Sequence, residues 1–85
     1  MRIDSVIRII DNKEYKTVKY DELGVLKWYD VKLDDGSIIR IEKCLDQMMA
    51  LYITPGQKVA DDVWIGKNGT NAYYILSNIY NELDR

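Results

Sequence analysis

The chain has 85 residues, of which 47% are hydrophobic and 31% are charged, and its formal net charge is −2. This composition argues against intrinsic disorder, and the lack of a concentrated basic face argues against nucleic-acid binding through the phosphate backbone. The chain has no histidine and a single cysteine, Cys44, which excludes an internal disulfide, a thiol–imidazole pair and a cysteine-based zinc site. We therefore expect one domain over residues 1–85 that is not an enzyme and holds no metal or cofactor, with Cys44 as a buried structural thiol.

The first eleven residues, MRIDSVIRIID, contain no long uncharged apolar core. Such a segment is neither a signal peptide nor a membrane anchor, so we expect a cytoplasmic protein without membrane contact. Apolar and polar residues alternate loosely here, with Ile3, Ile7 and Ile9 on one side, which predicts a first strand over residues 2–11. Residues 14–20 predict a second strand, whose lysines are typical of a sheet edge.

Residues 25–43, VLKWYDVKLDDGSIIRIEK, have the pattern of a β-hairpin. Residues 34–36, Asp-Asp-Gly, fit a three-residue loop that ends with glycine in the left-handed conformation. This loop places Asp30 opposite Arg40, an opposite-charge pair across the two strands. The face that we expect in the core consists of Tyr29, Val31, Leu33, Ile39 and Ile41.

Beyond the hairpin, apolar residues recur at helical spacing until a Pro-Gly pair, which predicts a short helix over residues 45–51. A strand over residues 50–54 remains the alternative, because Tyr, Ile and Thr favour extended structure there. Residues 63–65 predict a short extended segment, and residues 66–69 predict a loop.

The C-terminal residues predict the clearest helix, capped by Thr70 or Asn71. Its apolar stripe consists of Ala72, Ile75, Leu76, Ile79 and Leu83, which we expect to lie against the sheet. The expected fold class is therefore α+β: an antiparallel β-meander of four to five strands, packed by a C-terminal α-helix, with a short helix possible in the middle.

The strand, loop and helix around residues 63–75 suggest one candidate ligand site. Backbone N–H groups at a helix N-terminus, together with a lysine and a hydroxyl, can hold an anion such as the phosphate of a nucleotide or metabolite. The candidate residues are Gly66, Lys67, Asn68, Gly69 and Thr70. The complete phosphate-loop patterns are missing, and a turn followed by an N-cap explains the same residues.

A second candidate surface is aromatic and lies on the other face of the hairpin and on the C-terminal helix. Surplus tyrosine is typical of surfaces that bind proteins, since aromatic anchors dominate such interfaces. The candidate residues for binding a partner are Trp28, Lys32, Ile38, Arg40, Tyr73 and Tyr80. Acidic neighbours offset the basic residues among them, so nucleic acid is not an expected partner.

These patterns favour a small non-enzymatic interaction protein that binds and inhibits or regulates a larger protein. Small, acidic, histidine-free domains with surplus tyrosine occur among phage counter-defence and immunity-type inhibitors, an analogy of composition with no motif behind it. A binder of a phosphorylated small molecule at the loop is the alternative hypothesis. We also expect a homodimer, because a small sheet with an exposed face and few edge defences tends to pair.

Overall fold

The structure, a computed structural model, describes residues 3–11 and 18–85. Its elements in chain order are α1 (Ile3–Ile10), β1 (Val18–Leu23), β2 (Leu26–Lys32), β3 (Ile38–Cys44), β4 (Gln47–Ile53), β5 (Asp62–Gly66) and α2 (Asn71–Leu83). The strands form one antiparallel sheet in which each strand pairs with the next along the chain. This confirms the predicted α+β meander packed by a C-terminal helix.

The central hairpin has the register that the sequence predicts. The backbone N–H of Leu33 donates to the carbonyl of Ser37 at 2.8 Å and so closes the three-residue loop. Gly36 has a φ of +87°, the left-handed conformation that this loop requires at its last position. Asp30 lies opposite Arg40, as expected. The predicted inner face is likewise confirmed, with Leu33 at its half-buried end.

The C-terminal helix α2 is also confirmed. Thr70 is its N-cap, because the Thr70 hydroxyl accepts a hydrogen bond from the backbone N–H of Tyr73 at 3.2 Å. Leu76 and Ile79 are fully buried against the sheet. Tyr80 joins them and meets the ring of Tyr29 edge to face, with the ring centroids 5.2 Å apart.

The predicted first strand is wrong, because residues 3–10 form the helix α1. Ile3, Val6, Ile7 and Ile10 are buried at intervals of three, four and seven residues, whereas Ile9 is 51% exposed. The helical period was present in the sequence. The β-branched residues favoured a strand locally, but burial of a helical stripe against the sheet overrides that propensity.

The predicted short helix over residues 45–51 is also wrong, and the alternative of a strand is the better prediction. The chain turns at Leu45 and Asp46, and β4 then runs from Gln47 to Ile53. Leu45 takes up a φ of +56°, which a leucine rarely adopts, so this residue does not signal a tight turn. The predicted segment over residues 63–65 lies within β5.

The predicted second strand, residues 14–20, coincides with β1 only at residues 18–20. Its first part, residues 14–17, lies outside the described residues. The strand instead continues to Leu23, and a turn at Gly24 and Val25 leads into β2.

Candidate functional site

The two faces of the sheet have different surroundings. Buried residues of both helices form one core with residues that share a single face of the sheet: Tyr29, Ile39, Ile41, Met48 and Ala50. We call this the inner face. The opposite face, called the outer face below, has neither of the described helices packed on it. Within residues 3–11 and 18–85, this face is therefore left open to another molecule.

Cross-strand pairing arranges the outer face in rows. The Glu42 row consists of Asp21, Trp28, Glu42, Met49 and Ile65, in order from β1 to β5. The Arg40 row consists of Lys19, Asp30, Arg40, Leu51 and Val63. In both rows the charged side chains lie on β1 to β3, with Trp28 among them on β2, and β4 and β5 contribute only apolar side chains.

The apolar half of the outer face consists of Met49, Leu51, Val63 and Ile65. Val63 is 44% exposed and Ile65 is 49% exposed, while Met49 and Leu51 are half-buried between neighbouring side chains. Four adjacent apolar side chains on two strands form a continuous patch rather than isolated surface residues. Patches of this kind on a small protein mark surfaces where other molecules bind.

The charged half is held in place by one ion pair. The guanidinium of Arg40 donates two hydrogen bonds to the Asp30 carboxylate, from Nε at 2.7 Å and from Nη2 at 3.0 Å. The hydrogen bonding that Arg40 donates to Asp30 raises the pKa of Arg40 above its usual value. The same guanidinium lies 5.1 Å from the ring centroid of Trp28, which gives a cation–π contact. Trp28 is therefore a pre-positioned aromatic side chain.

Glu42 lies in the middle of the outer face and has different surroundings from the other acids. It is only 7% exposed, and within the described part of the chain no hydrogen bond or ion pair involves its carboxylate. Burial raises the pKa of Glu42, and the nearby charge of Arg40 acts in the opposite direction. Among the described residues, no fully buried side-chain oxygen lacks a partner. The carboxylate oxygens of Glu42 therefore reach the surface while its stem is covered.

The structure brings together four of the six residues predicted to bind a partner: Trp28, Lys32, Ile38 and Arg40 all lie on the outer face. It separates the other two, which lie on α2, on the opposite side of the sheet. Tyr80 is only 5% exposed and belongs to the core, so its proposed place on a binding surface is corrected. Tyr73 is half-buried and packs against the same core.

The fold itself accounts for several residues of the candidate ligand loop. A Cβ added at Gly66 would lie 2.7 Å from the backbone nitrogen of Tyr73, so glycine is required for β5 to approach α2. Gly69 has a φ of +89°. The Thr70 hydroxyl donates to the Lys67 carbonyl at 2.7 Å and also caps α2. The Thr70 hydroxyl is thus used within the turn of the loop and in the N-cap of α2.

Sequence reasoning missed the residues that make the outer face apolar and the acid at its centre. They are Glu42, Met49, Leu51, Val63 and Ile65. Glu42 shares the outer face with Trp28 and Arg40, but its burial depends on the neighbouring strand β4. A helix over residues 45–51 leaves no β4 in the sheet, and so no strand that brings Met49, Leu51, Val63 and Ile65 to this face. The available signal was the run MMALYI, in which apolar residues occupy both faces of a strand rather than one.

Cys44 is half-buried at the end of the outer face, not in the core as the sequence predicted. In residues 3–11 and 18–85, no three side chains of the types that bind metals lie close enough to hold an ion. Neither described helix is long and apolar enough to cross a membrane.

Comparison with protein-family models, with curated proteins and with solved structures finds no match to this chain.

Proposed function

We propose that this chain is a non-enzymatic protein-binding domain whose binding surface is the outer face of its sheet. The observation that supports this proposal is the apolar half of that face, where Val63 and Ile65 remain about half exposed on the same face as a pre-positioned Trp28. A desolvated apolar and aromatic centre with polar residues around it is the usual anatomy of a protein interface. The domain would act by occupying, and thereby inhibiting or regulating, a larger protein.

The size of the outer face favours a folded partner over a small molecule. Five strands about 4.8 Å apart and seven residues with a rise of about 3.3 Å give a face of roughly 500 Å². Stable interfaces bury about 800 Å² on each partner. A partner would therefore cover the whole face and contact the surrounding loops as well, which a large protein can do.

No observation favours the alternative of a phosphorylated small molecule at the loop. An open groove of about 500 Å³ lies near the start of α2, and it is lined by Arg8, Asp11, Asn71, Tyr74 and Ile75. None of the five predicted loop residues lines it. The groove thus does not complete a pocket around Lys67.

The homodimer stays a prediction, but the edges of the sheet disfavour one route to it. The N–H of Glu22 on β1 and the N–H of Val63 on β5 each donate to the carboxylate of the preceding aspartate at 2.9 Å. Each edge strand thereby withholds a donor that a second copy would need for strand pairing. A homodimer would therefore use the outer face.

Site-specific photo-crosslinking tests the proposed function. A benzophenone amino acid replaces Val63 on the outer face or, as the matched control, the exposed Asn78 on the back of α2, and each variant is irradiated in a lysate of the source cells. We expect one defined crosslinked protein from position 63 and none from position 78. Adding Ile65→Asp to the first variant should remove the product while circular dichroism stays unchanged.

Three outcomes would contradict the proposal. Equal crosslinking from both positions would show that contact with the outer face is not specific. No product from position 63 would show that nothing binds there. A product of twice the chain's mass would identify a second copy as the occupant, in place of a larger protein.

A further inference from the structure

The outer face contains a feature that specifies the chemistry of its partner. We propose that Glu42 binds a cationic side chain of the partner, and that the partner presents an arginine or lysine surrounded by apolar residues. This inference rests on the proposed function. The argument depends on the position of Glu42, on the other charges of the face and on what binding would do to its carboxylate.

Position is the first step. Glu42 is on β3, the middle strand, directly between Trp28 on β2 and Met49 on β4. The stem of Glu42 is thus enclosed by large side chains while its carboxylate points out of the sheet. Any partner that covers the apolar half of the face must also cover this carboxylate.

The second step is the charge balance of the outer face. Asp30 and Arg40 neutralise each other through two hydrogen bonds. At the β1 edge, the Nζ of Lys19 lies 4.0 Å from the Oδ2 of Asp21, and both side chains are exposed. Glu42 is the acid that remains at the centre without a paired cation in the described part of the chain.

The third step is the effect of binding. An apolar partner would seal the carboxylate of Glu42 in a low-dielectric interface, where the only nearby cation in the described part of the chain, Arg40, is already paired with Asp30, and this disfavours binding. A guanidinium can instead give two parallel hydrogen bonds to the carboxylate, and an ammonium can give at least one. The face therefore selects for a partner with a cation at this point and against one without it.

A second copy of the chain fits this requirement poorly. The cation at the centre of its face, Arg40, is already held by Asp30. Face-to-face packing about a twofold axis near the centre would also bring the two Glu42 carboxylates together. The chemistry thus favours a partner that is a different protein.

A selection with a defined probe tests the inference. A phage-displayed library of random disulfide-constrained peptides is panned against the whole wild-type chain, and the affinities of the enriched peptides are measured by isothermal titration. We expect enriched peptides to share an arginine or lysine flanked by apolar residues. Glu42→Gln should weaken their binding by at least about tenfold, since an uncompensated charge is then left in the interface.

The matched control is Glu82→Gln, which changes an exposed glutamate on α2 and should leave the affinity unchanged. Enriched peptides that lack a basic residue, or that bind wild type and Glu42→Gln equally, would overturn the inference. If Ile65→Asp nevertheless abolishes the binding of such peptides, the proposed function stands and only the inference about Glu42 fails. Peptides that are insensitive to Ile65→Asp, or a library that yields no binder, would count against both.

Discussion

Gly66 shows how a single residue determines the distance between sheet and helix. A Cβ at this position would meet backbone atoms of Tyr73 and Ala72 at 2.7–2.9 Å, and backbone cannot move aside as a flexible side chain does. We predict that Gly66→Ala lowers the free energy of unfolding by about 1–3 kcal/mol, the usual cost of forcing atoms into a packed region. Urea denaturation measures this difference.

The control is Lys67→Ala, at the next position, whose exposed side chain should leave stability unchanged to within about 0.5 kcal/mol. An unaltered midpoint for Gly66→Ala would mean that β5 and α2 can separate at little cost. Equal losses for both variants would point to the loop as a whole instead of the close approach at Gly66.

Glu42 gives a second prediction at the residue scale, this time with a pH dependence. Burial raises its pKa above the usual value of 4.5; the charge of Arg40 lowers it and that of Asp30 raises it further. An acid with a raised pKa favours the folded state while it is protonated, and that contribution is lost as the pH rises through its folded pKa. Glu42→Gln, which stays neutral, should therefore be more stable than wild type at pH 7.

The difference in stability between Glu42→Gln and wild type should shrink as the pH falls through the raised pKa of folded Glu42, and it should be lost below 4.5, the pKa of an ordinary glutamate, because Glu42 is then neutral in both the folded and the unfolded state. Thermal melts of the two proteins at neutral and acidic pH measure it. A variant that is less stable than wild type at pH 7 would show instead that the Glu42 carboxylate makes a favourable contact within the chain.

Among the elements, α2 is tied to the sheet at its C-terminal end by a polar contact. The Tyr29 hydroxyl on β2 donates a hydrogen bond to the carboxylate of Asp84, the C-cap residue of the helix. Burial, followed by this contact, raises the pKa of Tyr29. Tyr29→Phe keeps the ring in the core but removes the donor, so we predict a loss of about 1–2 kcal/mol in stability.

Chemical denaturation at pH 7 measures the effect of Tyr29→Phe. Tyr74→Phe is the matched control, because Tyr74 is 57% exposed and lies outside the core. Similar midpoints for the two variants would mean that the hydrogen bond between Tyr29 and Asp84 contributes nothing to holding the end of α2.

The elements differ in how far the sequence could predict them. The central hairpin and α2 were predictable because their signals are local: a glycine at the left-handed loop position, and Thr70 before an apolar stripe. The helix α1 was missed because its buried period competes with β-branched residues that favour strands. Part of its stability is also non-local, since the N–H of Ile3 donates to the Asp62 carboxylate at 3.1 Å, across 59 residues.

The candidate site was only partly predictable for the same reason. Trp28 and Arg40 belong to the hairpin, so their shared face follows from the local register. The apolar half belongs to β4 and β5, whose place beside β3 depends on a turn at Leu45 that has no glycine or asparagine to signal it. A central strand that is apolar on both faces also lacks the alternation that would separate it from a helix.

For the whole molecule, the proposed function assigns stability to one face of the sheet and binding to the other. Inner-face side chains such as Ile41 are fully buried, whereas Ile65 on the outer face is 49% exposed. Truncating a buried isoleucine costs about 2–5 kcal/mol, a large part of the roughly 4–13 kcal/mol expected for a domain of this length. Truncating an exposed isoleucine lowers the free energy of unfolding much less, because its side chain is already in contact with water.

We therefore predict that Ile41→Ala lowers the free energy of unfolding by about 2–5 kcal/mol, while Ile65→Ala changes it by less than about 1 kcal/mol. Circular dichroism melts of the two variants measure this, with wild type as reference. If Ile65→Ala proved as damaging as Ile41→Ala, the outer face would be part of what holds the fold together. Both faces of the sheet would then be needed for folding, and neither would be available to a partner. A loss of binding on Ile65→Asp would in that case reflect unfolding.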